Sequence, residues 1–195
     1  MTNKGMLIVR TNPPADFEEE LNDWYETDHI TERMTVPGFE AARRYVIVGG
    51  AHRYLALYDI EGIGVLQSPR YLAVAGDNVT PWTRRVIRRG RFIRSPTVQI
   101  YPGDALTTQA SRLLLVGFHG LGQGDAETIV EGAKRSFIGK PKVTQLRVFA
   151  TTDGDNVDFF LVVEGHGQID TLLEPDLFGS VAECLDTVTL YEPYS

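Results

Sequence analysis

The sequence of 195 residues contains a single cysteine, Cys184, so the chain has no partner for an internal disulfide. We expect a cytoplasmic protein in which Cys184 is a buried structural thiol. No stretch approaches the ~20 consecutive apolar residues of a membrane-spanning helix. Pro13 and Pro14 end the first apolar stretch early, so a signal peptide is not expected either. These absences predict no membrane partner.

Motifs for phosphate, metal and nucleic-acid binding are also missing. The glycine-rich stretch 120–124 lacks the Lys-Ser/Thr ending of a phosphate loop. The four histidines form no pair at helical spacing, and although His119 and His166 each end a predicted strand, no metal site is expected. The net charge of −7 argues against nucleic acid. The six arginines in residues 83–94 are expected to face the acidic second half of this chain or of a neighbour.

What the sequence does contain is an ordinary globular composition, with 43 % hydrophobic and 23 % charged residues. The pattern of the first half predicts the order strand, helix, strand, strand, helix, strand. The first helix begins near Asp16, carries Phe17, Leu21 and Trp24 at helical spacing, and ends at a Pro-Gly turn. The predicted strands are 5–11, 39–48, 53–60 and 92–101, with a turn at 49–50 and further helical segments at 64–75 and 83–89.

The second half repeats this order in a shorter form. Its predicted strands are 113–119, 143–151, 157–165 and 187–191, and its predicted helical segments are 125–137 and 169–183. An Asp-Gly turn falls in residues 152–156, Pro175 interrupts the last helical segment, and residues 101–111 form the linker between the halves.

This order predicts an α+β protein of two tandem ferredoxin-like βαββαβ units. Residues 1–105 form the first domain, and residues 106–195 form a second, degenerate one. Helices on one face of a four-stranded sheet leave the other face bare. Two such faces in one chain can cover each other, so we expect an intrachain dimeric α/β barrel, while a further homodimer stays open.

The segment before the Pro-Gly turn concentrates residue types that suit a small-molecule pocket. Tyr25, His29 and Arg33 follow one another at spacings of four, and Trp24 and Asp28 form the neighbouring stripe. Imidazole titrates near neutrality and suits a general acid or base, which a carboxylate such as Asp28 can orient. The alternative is that His29 is a helix-end residue stabilised by the helix dipole and that Trp24 belongs to the core.

Arg43 and Arg44 follow on a predicted strand, where adjacent side chains point to opposite faces. An inward arginine can bind a substrate carboxylate or enolate with two parallel hydrogen bonds. The alternative is a structural ion pair, for instance with Asp28.

The Trp24-Tyr25 pair, His29 four residues after the tyrosine, the Pro-Gly turn and the arginine-containing strand resemble the dimeric α/β-barrel superfamily, and more narrowly EthD-like proteins. Residue 31 is threonine where that motif often has proline. The stretch "TPWTRR" at 80–85 is a second family-like patch, which adds Trp82 to the candidates. The resemblance covers residues 5–101 best, and the second half has no equivalent Trp-Tyr motif.

The resemblance implies a small-molecule pocket between sheet and helices but no single chemistry. We expect a cofactor-independent enzyme of isomerase, dehydratase or monooxygenase type, acting on a small, partly apolar, oxygenated organic molecule. The alternatives are a non-catalytic small-molecule binder and a haem protein with His29 as axial ligand. The candidate catalytic residues are His29, Tyr25 and Arg43, and the candidate substrate-binding residues are Trp24, Asp28, Arg33, Arg44, Tyr45 and Trp82.

Overall fold

The computed structural model describes residues 3–47, 53–152 and 156–194. Eight antiparallel strands close into a barrel in the order β1-β3-β2-β8-β5-β7-β6-β4. The predicted α+β class and the closed barrel within one chain are therefore confirmed. The strands are β1 Gly5–Thr11, β2 Phe39–Val46, β3 Tyr54–Ile60, β4 Phe92–Tyr101, β5 Arg112–Leu121, β6 Val143–Thr151, β7 Val157–Gly165 and β8 Leu185–Pro193.

The four strands of each half stay together, in the orders β4-β1-β3-β2 and β6-β7-β5-β8. Two seams join the halves. At one seam β4 pairs with β6, and at the other β2 pairs with β8 through Tyr45–Pro193 and Val46–Glu192. Among the described residues, the part of β2 before Tyr45 has no pairing with β8. This opens a cleft at the second seam.

Helices cover the outside of the barrel. The longest assembly, which we call the site helix (residues 18–34), consists of α1, a π turn and α2. The helices are α1 Glu18–Trp24, α2 Ile30–Met34, α3 Pro69–Leu72, α4 Pro81–Arg89 and α5 Ala126–Phe137, with the π turn at Tyr25–His29 and 3-10 segments at Ala15–Phe17, Ile63–Gln67, Gly76–Asn78, Gln123–Asp125, Asp170–Leu172 and Pro175–Cys184.

Two predicted helical segments are present as short, broken pieces, most of them 3-10 helices. Residues 169–183 form two 3-10 segments, because Pro175 removes a backbone donor and Gly179 has a φ of 59° that breaks the second segment. Residues 64–75 contain the 3-10 segment Ile63–Gln67 and the short helix α3, which begins at Pro69 after the capping side chain of Ser68. Of the predicted turns, 49–50 lies outside the described residues and 152–156 lies largely outside them.

The barrel core has two layers, because both faces of the strands are buried. Met6 and Ile8 point into the barrel and pack with apolar residues of both halves, such as Leu115 and Phe160. Alternate residues such as Leu7 pack instead against the helices of their own half. Cys184 is half-buried against the apolar cluster of the second half.

A buried charge network closes one end of the barrel. Arg147, with no exposed surface, holds Asp59 (Nη1–Oδ1 2.8 Å) and Glu164 (Nη2–Oε2 3.3 Å). The linker joins this network, because the Thr107 amide donates to Asp59 (2.9 Å) and the Thr108 amide donates to Glu164 (2.7 Å). The same buried charges therefore fasten β3, β6, β7 and the linker.

The arginine-rich stretch 83–94 does not face the acidic second half. Arg85 pairs with Glu20, and Arg89 Nη2 lies 3.1 Å from Asp16 Oδ2, so these described pairs connect α4 to the start of the site helix. For the second half of this chain the expectation is wrong, because the first half supplies acids of its own. An acidic face of a neighbouring chain stays a prediction. Within the described ranges, no helix has the length and apolar character needed to traverse a bilayer.

Candidate functional site

The site helix changes its hydrogen bonding at the predicted motif. The Ile30 amide donates to the Tyr25 carbonyl five residues back, which is the pattern of a π turn. The wider turn stacks the His29 imidazole on the Trp24 indole, with centroids 4.0 Å apart and planes at 25°. The sequence prediction put these residues on separate stripes, because it assumed an unbroken α-helix. Single π turns are frequent at functional sites.

This turn forms the roof of a cavity of about 100 Å³ between the site helix and the sheet. Trp24, Tyr25, His29 and Arg33, all predicted site residues, line it together. The remaining wall comes from β1, β3, β4 and the segments around α3 and α4. The lining residues from these elements are Leu7, Val9, Tyr58, Tyr71, Ala75, Gly76, Val79, Ile87, Phe92 and Arg94.

A larger outer groove of about 430 Å³ adjoins the cavity. The two share Leu7, Tyr71, Ala75, Gly76 and Arg94. The outer groove is walled by apolar side chains of the 63–72 segment, and one of them, Leu72, is 51 % exposed. The cavity and the outer groove therefore lie side by side, and the exposed Leu72 places the groove at the surface.

His29 is held as a neutral imidazole. Burial lowers its pKa well below the usual 6.5, and the cations Arg33 and Arg94 lower it further. Its Nδ1 atom is buried and has no hydrogen-bond partner among the described residues. A neutral histidine can accept a proton, and the nearby arginines oppose the charge that it would acquire.

Two tyrosine hydroxyls complete the polar part of the cavity. Burial raises the pKa of Tyr25 to about 12, although the Arg44 guanidinium beside its ring lowers it in part. Burial also raises the pKa of Tyr58 well above its usual value. The Tyr58 hydroxyl completes no hydrogen bond of standard geometry in the described structure. Both phenols therefore stay protonated and can donate to an anionic oxygen.

The lining of the cavity is positively charged, because it contains Arg33 and Arg94 and none of its described residues is a carboxylate. Arg33 is already occupied, since its Nη1 donates to the Val74 carbonyl (2.9 Å) and to Glu32 (3.2 Å). Arg94 donates to the Tyr71 hydroxyl (2.5 Å) and forms no ion pair in the described part of the chain. Arg94 is thus the cation available to a ligand.

Asp28 has a different partner from the one expected. The Trp24 indole N–H donates to Thr83 Oγ1 (3.0 Å), and Thr83 donates to Asp28 Oδ2 (3.4 Å). These two hydrogen bonds hold the indole in place from α4. Among the described residues, no carboxylate is hydrogen-bonded to the imidazole. Trp82 donates to Glu20 (3.2 Å) and does not line the cavity.

Three other candidates lie away from the cavity. Arg43, Arg44 and Tyr45 line the cleft at the β2–β8 seam. Arg43 is exposed and Arg44 is buried, as their opposite faces require. Arg44 Nη2 donates to Asn22 Oδ1 (2.6 Å), so its partner is not Asp28. The geometry gives Arg43 no place beside His29.

The sequence analysis missed Tyr58, Arg94 and Thr83. Tyr58 lies on β3 and Arg94 lies on β4, and both strands were predicted only as parts of the sheet. The alternation of β3 places Tyr54, Ala56 and Tyr58 on one face, and this is the signal in the sequence that could have identified Tyr58. Thr83 lies within the family-like patch but attracted no attention beside Trp82. No described group of three His, Cys, Asp or Glu residues is arranged to hold a metal ion.

No family model matches the chain, and no curated protein matches it. Solved structures do match. An anthrone oxidase-like protein superposes with a TM-score of 0.71 at 11 % identity, covering 100 % of this chain and 92 % of that chain. A candidate monooxygenase from Lactobacillus acidophilus gives 0.59 at 10 % identity (98 % and 93 %), and a haem-binding protein from Thermus thermophilus gives 0.56 at 11 % (100 % and 92 %). The chain has their dimeric α/β-barrel fold.

Haem does not fit at His29. A metal-ligating histidine normally donates its second ring N–H to an acceptor, but Nδ1 of His29 has none in the described structure. The cavity of about 100 Å³ also lies far below the ~300–1,000 Å³ of ordinary cofactor and ligand pockets. The residues present therefore do not support His29 as an axial ligand.

The stability of the protein should depend on pH through His29. Its folded pKa lies below the unfolded value of about 6.5, so below about pH 6.5 the unfolded chain binds a proton that the folded chain does not. The free energy of unfolding should fall as the pH drops below that value, by up to about 1.4 kcal/mol per pH unit. Urea titrations at about pH 7.5 and 5.5 measure this. His29→Gln should remove this part of the decrease and His166→Gln, at an exposed position, should keep it.

Proposed function

We propose that the chain is a cofactor-independent enzyme that removes a proton from a small, partly apolar, oxygenated organic molecule, with His29 as the general base. The observation that carries the proposal is a neutral imidazole in a cavity that also holds two phenol donors and Arg94 but no described carboxylate. This combination can take a proton and hold an oxyanion.

In the proposed step, His29 takes a proton from a carbon that is next to a carbonyl group or, as in anthrone, is conjugated to it through an aromatic ring. The electron pair of that C–H bond moves to the carbonyl oxygen, and the hydroxyls of Tyr25 and Tyr58 together with Arg94 stabilise the resulting enolate. Arg94 replaces Arg43 in this role, because Arg94 lines the cavity. Returning the proton to another carbon gives isomerisation, and loss of hydroxide, which takes up the proton as water, gives dehydration. Combination of the carbanion with dioxygen and return of the proton gives a hydroperoxide, which loses water and leaves one oxygen atom in the product.

The sizes of the cavity and of the outer groove support a substrate of more than one ring. The cavity of about 100 Å³ suits the oxygenated head, and the outer groove of about 430 Å³ suits an apolar body. Tyr71 and Leu72 would contact that body as it leaves the cavity. Since these apolar walls continue to the surface, the ligand does not need to be enclosed completely.

We further propose that the barrel consists of two ferredoxin-like units, residues 1–105 and 106–195, and that the chain is EthD-like. Read in the same direction, the strand orders β4-β1-β3-β2 and β8-β5-β7-β6 are equivalent, which supports the two units. The Trp24-Tyr25-His29 motif supports the EthD-like assignment. Only the first unit would carry a site. In the second, the aromatic rings of Phe118 and Phe178, with centroids 4.9 Å apart, occupy the core beneath α5.

The alternative is a non-catalytic binder of the same ligand class, which the lack of a carboxylate partner for His29 favours. A base that nothing orients is less effective in proton transfer. Recovery of a bound compound that stays chemically intact through long incubation would support this alternative over catalysis.

The test compares the turnover of two ketones by chelator-treated protein. One is anthrone, the compound in the name of the anthrone oxidase-like neighbour, and the other is a single-ring ketone. We expect product from anthrone by mass spectrometry and little from the single ring. Leu72→Glu should lower kcat/KM for anthrone about tenfold, because it removes apolar contact from the outer groove. Ile138→Glu, at an equally exposed position on the second half, should not. No conversion of either ketone would contradict the proposal.

A further inference from the structure

We propose that the seam cleft, the opening of about 380 Å³ between β2 and β8, is a second ligand site, specific for a small organic carboxylate. Its volume lies within the ~300–1,000 Å³ of small-molecule sites. It shares no lining residue with the His29 cavity. The lining residues are Glu26, Ile30, Ala42, Arg43, Arg44, Tyr45, Thr108, Gln109, Ala110, Pro193 and Tyr194.

The main evidence is the incomplete hydrogen bonding of Arg44. This side chain is 6 % exposed, and its guanidinium lies 4.3 Å from the Tyr25 ring centroid and 4.4 Å from that of Tyr194. Nη2 donates to Asn22, but Nη1 is buried and has no hydrogen-bond partner among the described residues. Leaving a buried charged donor without a hydrogen bond costs free energy. An anion that reached Nη1 would accept this hydrogen bond and recover that free energy.

The carboxylate of Glu26 stands where such an anion would bind. Its Oε1 lies 3.9 Å from Arg44 Nη1, which is beyond hydrogen-bond distance, and its side chain is 51 % exposed. An exposed side chain can rotate into water at little cost. Glu26 therefore competes weakly with a ligand carboxylate, and the ligand would displace it.

The rest of the cleft also favours an anion with an apolar body. Arg43 is exposed and forms no ion pair in the described structure, so the cleft holds two arginines against one carboxylate. Gln109 and Ala110 also line the cleft, and their backbone amides make no hydrogen bond within the described ranges. Ile30 and Pro193 provide apolar wall, which inorganic anions would not use.

Calorimetric titration of the full chain with benzoate, with benzamide as the uncharged isostere, tests the proposal. We expect benzoate to bind and benzamide to bind at least tenfold more weakly. Glu26→Gln should tighten benzoate binding about fivefold, and Arg43→Gln should weaken it about fivefold, as expected for one charge at about 4 Å near water. Glu19→Gln and Arg88→Gln, which make the same charge changes at exposed positions outside the cleft, should leave the affinity unchanged.

Equal effects of the cleft variants and their controls would overturn the proposal, because they would reveal only a response to net charge. Absence of benzoate binding, or equal binding of benzamide, would overturn it as well. A titration with inorganic phosphate separates the contribution of the apolar body: binding as tight as that of benzoate would contradict the assigned ligand class. None of these outcomes depends on catalysis at His29.

Discussion

Replacing Arg147 by methionine should lower the free energy of unfolding by about 3–5 kcal/mol, the range measured when one partner of a buried ion pair is removed. Arg147 and Glu164 have no exposed surface, and Asp59 is 1 % exposed. The substitution would leave both carboxylates buried without a cation, and the linker amides of Thr107 and Thr108 alone cannot neutralise them.

Urea unfolding at neutral pH measures the effect of Arg147→Met. Arg135→Met removes the same charge from an exposed position on α5 and should change the free energy of unfolding by no more than about 0.5 kcal/mol. A loss below about 1 kcal/mol for Arg147→Met would mean that water or the linker satisfies the carboxylates. The network would then not be what fastens the two halves at this end of the barrel.

Replacing His29 by glutamine should lower kcat/KM for a turned-over ketone about 10²- to 10⁴-fold, the usual contribution of a positioned base. Glutamine retains hydrogen-bonding capacity and approximate size but cannot accept the proton. The residual rate should come from Tyr25, Tyr58 and Arg94, which still stabilise the enolate.

The matched control for this variant is His166→Gln, at an exposed position on the second half, which should retain full activity. The urea unfolding curve of His29→Gln at about pH 7.5 should resemble that of the unmodified protein, because His29 is already neutral there. If both histidine variants turn over substrate at the unmodified rate, His29 is not the base, and the non-catalytic alternative gains support.

Local pattern was enough to predict most of the framework. Strands β1, β4, β6 and β7 have the predicted bounds, because short runs rich in apolar and β-branched residues between proline and glycine breaks allow few other structures. The segment 169–183 is helical and breaks near Pro175, as predicted, but its pieces are 3-10 helices and Gly179 adds a second break. A helical period of apolar residues indicates that one face of a segment is buried. It does not distinguish an α-helix from 3-10 segments, which also bury one face.

The candidate site was predicted in part, and the limit is physical. Trp24, Tyr25, His29 and Arg33 lie on one continuous helix, so their proximity follows from spacing alone. Spacing cannot predict the π turn that stacks Trp24 on His29, because an α-helix and a π turn use the same local residues. It also cannot bring Arg94, which lies on a strand far along the chain, to the same cavity.

By itself, the sequence determined the α+β framework, the segment that carries the candidate site and the residue type suited to proton transfer, because these depend on neighbours within a few turns. The tertiary structure decided the rest: that His29 is neutral, that Arg94 and not Arg43 faces it, and that Arg44 has an unsatisfied donor. Burial and the approach of charges from distant strands set these properties, since pKa values and hydrogen-bond partners depend on distance in space.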